Sequence, residues 1–186
     1  MSRPPASQGY RTEGTAHARG SLRFFRGALA AALIAAAACS PRAPGFAPTF
    51  ESPEALAAAV LDGVERRDAG RLRELALSEH EFRKWVWPHL PAGRPEVNMP
   101  FDYFWKDLSR KSDASLASTL AEFGGQRLTL RRVEFGGATS DFGPFRVSRE
   151  PMLTVTDAQG IERRIQVCGS MIEAGGRWKL FSHVVD

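Results

Sequence analysis

Phe123-Gly124-Gly125-Gln126-Arg127-Leu128-Thr129-Leu130-Arg131-Arg132-Val133-Glu134-Phe135 is where the chain changes its hydrophobic period. Before Gly124, apolar residues recur every three or four positions, the spacing of one helix face. After Gly125 they alternate, the spacing of a half-buried strand. Leu128 and Leu130 keep one parity and Val133 and Phe135 the other, which predicts a bulge around Arg131-Arg132. Upstream of this point the chain reads as helices, downstream as hairpin-linked strands. That order predicts an α+β domain, helices packed on one face of an antiparallel sheet.

The helix that ends at Gly124 is the longest, and its spacing starts it near Phe101. Its apolar stripe is Phe101, Phe104, Trp105, Leu108, Leu116, Leu120 and Phe123, with Tyr103, Asp107 and Arg110 on the far side. Ser112, Ser115 and Thr119 also fall within the stripe. Two accounts fit them. Small residues let the helix approach the sheet, with hydroxyls bonded to carbonyls four residues back. Alternatively they line a cavity walled by Trp105, Leu116 and the strand of Phe181 and His183, where hydroxyls orient a ligand.

Further upstream, Ser52-Pro53-Glu54 carries a cap, a first-turn proline and a favourably placed acid, so a helix begins there. Asp68-Ala69-Gly70 breaks it, and a short second helix runs from Arg71 to Leu77. Ser78-Glu79-His80-Glu81 is a capping box opening a third, which carries Phe82, Trp85 and Val86. His89 to Pro100, with Pro91, Pro95 and Pro100, reads as an irregular loop. Seven of the eighteen aromatic residues lie between Phe82 and Trp105. They predict either core with a packed loop or the rim of an apolar binding site.

Downstream, Phe145 and Val147 mark a second strand, and Leu153 and Val155 a third. Ile161, Ile165, Val167 and Met171 share one face of a long fourth strand, between turns at Asp157–Gly160 and Glu173–Gly176. The last, Trp178 to Val185, is apolar on both faces and is therefore expected at the centre of the sheet.

The N-terminal helix beginning Ser52-Pro53-Glu54-Ala55-Leu56, the acidic-Ala-Gly break, the long helix and the final Gly176-Arg177-Trp178-Lys179-Leu180 resemble the nuclear transport factor 2-like, or cystatin-like, superfamily. The resemblance covers about residues 50 to 186. It implies helices on one curved, cone-like antiparallel sheet of about five strands. It implies no single activity, because that superfamily hosts isomerases, dehydratases, transport factors and binding domains.

The chain's other end bears on location. Arg19, Arg23 and Arg26 precede an uncharged run from Gly27 to Ala38, which stops at Cys39. A basic region, a short apolar segment and small residues form a secretory leader. The run is too short to span hydrocarbon, which takes about 20 apolar residues. Ala36-Ala37-Ala38-Cys39 resembles a bacterial lipoprotein processing box, with Ala36 where that family favours Leu. The resemblance implies cleavage before Cys39, a lipidated cysteine as the new N-terminus, and anchoring at a membrane. Ser40, rather than Asp, implies the outer membrane facing the periplasm. The domains read as 1–38 leader, 39–50 Pro-rich tether and 51–186 folded body, and a tether is expected to bury little.

Without the leader the charge disappears. The chain has 25 basic and 21 acidic residues, but five arginines and Glu13 precede Cys39, which leaves 20 of each. No basic run remains to support nucleic-acid binding. With Cys39 lipidated, Cys168 is alone and no disulfide framework exists. Parity puts Cys168 on the polar side of its strand as a half-exposed thiol.

Three histidines follow Cys39. His80-Glu81 meets Lys84 where a zinc protease needs its second histidine, His89 lies in the Pro-rich loop, and Gly169-Ser170 lacks a nucleophile elbow's second glycine. His183 is the one catalytic candidate, a buried-strand imidazole able to act as a base if a carboxylate orients it, with Asp102 the nearest nameable partner. The alternative is a core histidine with a backbone partner. Neither cofactor nor metal is expected.

The expectation is a lipid-anchored envelope protein, a non-enzymatic ligand-binding or accessory module lined by Trp105, Ser112, Ser115, Leu116, Thr119, Phe181 and His183. The alternatives are an isomerase- or dehydratase-type enzyme using His183, and a protein-interaction module presenting its sheet. The expected partners are the membrane, a small apolar ligand or an envelope protein, and a second copy in a homodimer.

The anchor is directly testable. Mass spectrometry of the native protein should show an acylated Cys39, and Cys39→Ala should leave it unprocessed or release it from the membrane. Wild-type protein that is soluble, with an unmodified N-terminus elsewhere, would refute lipidation.

Overall fold

A computed structural model describes residues 44–185. The predicted leader and Cys39 lie outside the described residues. Each early helix begins where a side chain can satisfy free backbone N–H groups. Ser52 accepts from the Ala55 amide, and Pro53 occupies the first turn of α1 (Pro53–Glu65). Asp68 does the same for Arg71 at the start of α2 (Ala69–Leu75). Ser78 and Glu81 form the expected capping box of α3 (Glu79–Glu81), which continues as a π turn through Phe82–Val86. Short 3-10 turns carry the Pro-rich loop to Val97, and α4 (Phe101–Phe123) then occupies the range its stripe predicts.

The α+β class holds, but the sheet is not single. Among the described residues, seven strands form two antiparallel sheets. One has the order β1 (Thr129–Phe135), β4 (Pro151–Thr156), β5 (Glu162–Ile165). The other has the order β2 (Thr139–Asp141), β3 (Arg146–Ser148), β6 (Met171–Ala174), β7 (Arg177–Leu180). The expected bulge is present: the β1–β4 register shifts between Leu130 and Arg132, so Leu130 and Val133 face Val155 and Leu153.

The fourth strand is where the single-sheet expectation fails. Ile161, Ile165, Val167 and Met171 share one parity, yet the chain leaves β5 after Ile165 and enters the other sheet at Met171. The crossing packs tightly. A Cβ on Gly169 would lie 2.2 Å from the Val184 carbonyl oxygen, so only glycine allows this approach. Val167 and Cys168 are both buried within it, so the one-sided burial expected of a half-exposed strand is lost here. Cys168 is therefore fully buried rather than half-exposed, and burial pushes its thiol up to about 12.

β7 also departs from expectation. It ends at Leu180 and lies at the margin of its sheet, not at the centre. Its outer side is met by single bridges, Phe50 to Trp178 and Ala76 to Leu180. Those two segments together cover the edge that one further strand would otherwise pair.

The β6–β7 ribbon separates two cores, because successive strand residues face opposite sides. Met171 and Leu180 face the core of α1, α2 and β4, with Leu56, Val60, Leu72, Leu75 and Leu153. Ile172 faces the other core, with Phe46, Phe82, Val86 and Phe145. Phe46 belongs to the expected tether. It is 8% exposed, the Ala47 amide donates to Glu81, and Phe50 exchanges two backbone hydrogen bonds with Trp178. The folded body therefore begins at Phe46 rather than at residue 51, because an aromatic side chain there completes a core.

Beside Ile172 in the ladder stands Lys179, only 1% exposed. Its ammonium donates to the carbonyls of Ala47 (2.6 Å) and Glu74 (3.1 Å) and lies 3.5 Å from a Glu81 oxygen. Glu81 also accepts from the amides of Ala47 and Ser78, both at 2.8 Å. Glu81→Ala should thus cost about 3–5 kcal/mol in urea unfolding, because it strands a buried cation. Ser52→Ala, a cap without that burden, should cost about 1 kcal/mol. Equal small losses would reduce Glu81 to a helix cap.

Candidate functional site

Two depressions flank the wall made by Leu108 of α4 and Phe181. The larger, about 410 Å³, opens between α4 and the β2–β3 hairpin; the smaller, about 170 Å³, lies toward α2. Helical spacing supplies one side of the larger cleft. Phe104 and Leu108 form an apolar row, and Asp107 and Lys111, three positions on from each, stand beside them. Strand parity supplies the other. Val147 and Ser140 are paired residues of β3 and β2 and so share a face. Arg149, two residues beyond Val147, joins the same lining. The cleft has an apolar floor and a polar, charged rim.

Asp107 is engaged by Lys111 at 2.6 Å and Arg110 at 3.0 Å, and those hydrogen bonds hold its carboxyl below the usual range. Arg149 is exposed and has no ion pair among the described residues.

The seven residues expected to line one pocket are divided. Trp105, Ser112, Phe181 and His183 line the smaller depression. Ser115 and Thr119 border a shallow hollow elsewhere on α4, and Leu116 is 2% exposed in the first core. The cavity account of the hydroxylated gap in α4 holds only for Ser112, and the serine hydroxyls at 112 and 115 bond the C-terminal tail rather than carbonyls four residues back. Ser112 accepts from the His183 amide at 2.9 Å, and Ser115 accepts from the Val185 amide at 3.3 Å. Beyond Leu180 the chain has left the sheet, so its N–H groups need new acceptors. Two serines, three residues apart on the helix, receive alternate amides of this extended tail.

His183 is 2% exposed, and its Nε2–H donates to the Leu72 carbonyl at 2.7 Å. The other nitrogen, Nδ1, is buried without a partner. Asp102, the carboxylate named for it, pairs instead with Arg83 at 2.7 Å on the surface. His183 therefore ties the tail to the end of α2 as a core histidine with a backbone partner. Its ring is held below its ordinary pKa, chiefly by burial, against the hydrogen bond to Leu72. His80 and His89 are exposed. Among the described residues, no group of three or more acidic, histidine or cysteine side chains could hold a metal ion.

The cleft residues Leu90, Lys111, Phe142, Val147 and Arg149 carried no signal of a site in the sequence. Only the parity of Val147 and Arg149, readable once β3 is placed, could have joined them. No family model, curated protein or solved structure matches this chain.

The His183 environment fixes the sign of one pH effect. The folded ring titrates below its ordinary value of 6.5, so the unfolded chain binds more protons below that pH. Stability should therefore fall as pH drops below about 6.5, with a slope of up to about 1.4 kcal/mol per unit from this one ring. His183→Gln can keep a donor toward Leu72 but cannot titrate. It should flatten that part of the urea-midpoint profile between pH 7.5 and 5.5; an unchanged profile would exclude His183 as its source.

Proposed function

We propose that this chain is an exported, lipid-anchored envelope protein whose folded body is a non-enzymatic module binding a small apolar ligand between α4 and the β2–β3 hairpin. The observation that carries the reading is the 410 Å³ cleft. Its volume falls within the range of about 300–1,000 Å³ usual for small-molecule sites, and its lining combines an apolar floor with a few polar groups. The commitment of His183 to a backbone carbonyl favours binding over the isomerase- or dehydratase-type alternative. The leader pattern and Cys39 support the anchor. The likeness to a nuclear transport factor 2-like cone belongs to the same proposal, supported by helices that precede the strands and a long helix beside a hairpin with a cleft between them.

Leu108 offers the test, because it is half-buried on the wall of both depressions. The neutral dye N-phenyl-1-naphthylamine should bind with a saturable, single-site rise in fluorescence. Leu108→Trp should fill the cleft and weaken that binding about tenfold or more while the circular dichroism spectrum stays native. No saturable binding, or binding indifferent to Leu108→Trp in a folded protein, would refute the cleft as a ligand site.

A further inference from the structure

We propose that the occupant of this cleft is an amphipathic anion, an apolar body ending in one carboxylate, and that Arg149 is the residue that clamps it. This rests on the preceding reading of the cleft and adds the polarity and orientation of the ligand.

Charge on the rim is unbalanced. Its charged side chains are Asp107, Lys111 and Arg149. Lys111 and Asp107 neutralise each other at 2.6 Å, with Arg110 adding a second contact to the same carboxylate at 3.0 Å. That leaves Arg149, for which no ion pair or side-chain hydrogen bond exists among the described residues, although Glu150 is its neighbour in the chain. The Glu150 carboxylate instead lies against the Gly136-Gly137 turn. The Cβ of Arg149 packs on Gly137 too closely for a side chain there, which fixes the root of the arginine.

A planar guanidinium with free donors at the mouth of an apolar cleft matches a carboxylate in both charge and geometry, since two parallel N–H groups reach two oxygens. Val147 lies two residues before it, and Ser140 pairs with Val147, so apolar contact and hydroxyl lie on the same wall as the cation. A ligand cation would find its only carboxylate, Asp107, already bridged twice. A neutral ligand would leave Arg149 unused. The apolar body would run inward along Phe104, Leu108 and Phe181, with the carboxylate outward at Arg149.

Displacement of bound N-phenyl-1-naphthylamine at pH 7.5 by dodecanoate, dodecanol and dodecyltrimethylammonium, each below its micellar range, tests this. Dodecanoate should bind about tenfold or more tighter than dodecanol, the order expected for one charge-assisted pair, and dodecyltrimethylammonium weakest. Arg149→Gln, at an exposed position, should erase the advantage of dodecanoate without changing dodecanol, and Arg149→Lys should restore part of it. Equal affinities for acid and alcohol, or a preference for the cation, would overturn the assignment while the cleft stood. If the dye itself fails to bind saturably, the cleft reading has failed and this inference falls with it.

Discussion

A single buried ion pair holds the second core in place. The Glu81 carboxylate sits 3.5 Å from the Lys179 ammonium, with one residue 7% and the other 1% exposed. Burying charge is unfavourable unless the partners are close and every other donor and acceptor is satisfied. Here Glu81 takes the amides of Ala47 and Ser78, and Lys179 gives to the carbonyls of Ala47 and Glu74. Desolvation lowers the lysine's pKa and Glu81 opposes it. The pair joins the incoming chain, the end of α2, the start of α3 and β7. A hydrophobic substitute for either residue could not place four backbone segments at once.

From that point the cleft follows by contact. Phe82 comes directly after Glu81 and is fully buried. Its ring meets Trp105 at 5.4 Å, Phe104 at 5.8 Å and Phe181, edge-on, at 5.6 Å. Those contacts set the position of α4 relative to the segment leaving β7, and Phe181 then separates the two depressions. The aromatic crowding of the sequence is therefore core first. Of the aromatic residues described, Phe104, Phe142 and Phe181 present part of themselves to the cleft.

Local signals were the legible part. Caps, the capping box, the helix ending at Gly124 and the bulge before Arg132 are decided within a few residues, and the chain carries each openly. What depends on pairing across the chain was hidden. Ile165, Val167 and Met171 share a parity in the sequence, but between them the chain crosses from one sheet to the other with Val167, Cys168 and Gly169 buried in succession. Thr139-Ser140-Asp141, the whole of β2, has no large apolar residue to mark it. Nothing near Lys179 in the sequence, between Trp178 and Leu180, marks it as buried or announces that Glu81 will meet it. Of the site residues, Phe181 was found and Arg149 was missed. A cleft between a helix and a distant hairpin belongs to neither element alone.

The placement of Lys179 also orders events in time. Synthesis runs from the N-terminus, so α1 to α4 and the first six strands emerge before the residue that neutralises Glu81. Until β7 arrives, the Glu81 carboxylate has its two amides but no counter-charge, and Ser112 and Ser115 have no tail to receive. Local helices can form early, since their caps lie within reach. The second core cannot close, because Ile172 lacks the ladder with Lys179 that seats it. On these contacts, a chain still lacking β7 would be without the charge partner and the ladder that its final packing uses. If the body is exported, as proposed above, and passes unfolded, such lateness would keep it threadable until its passage was nearly complete.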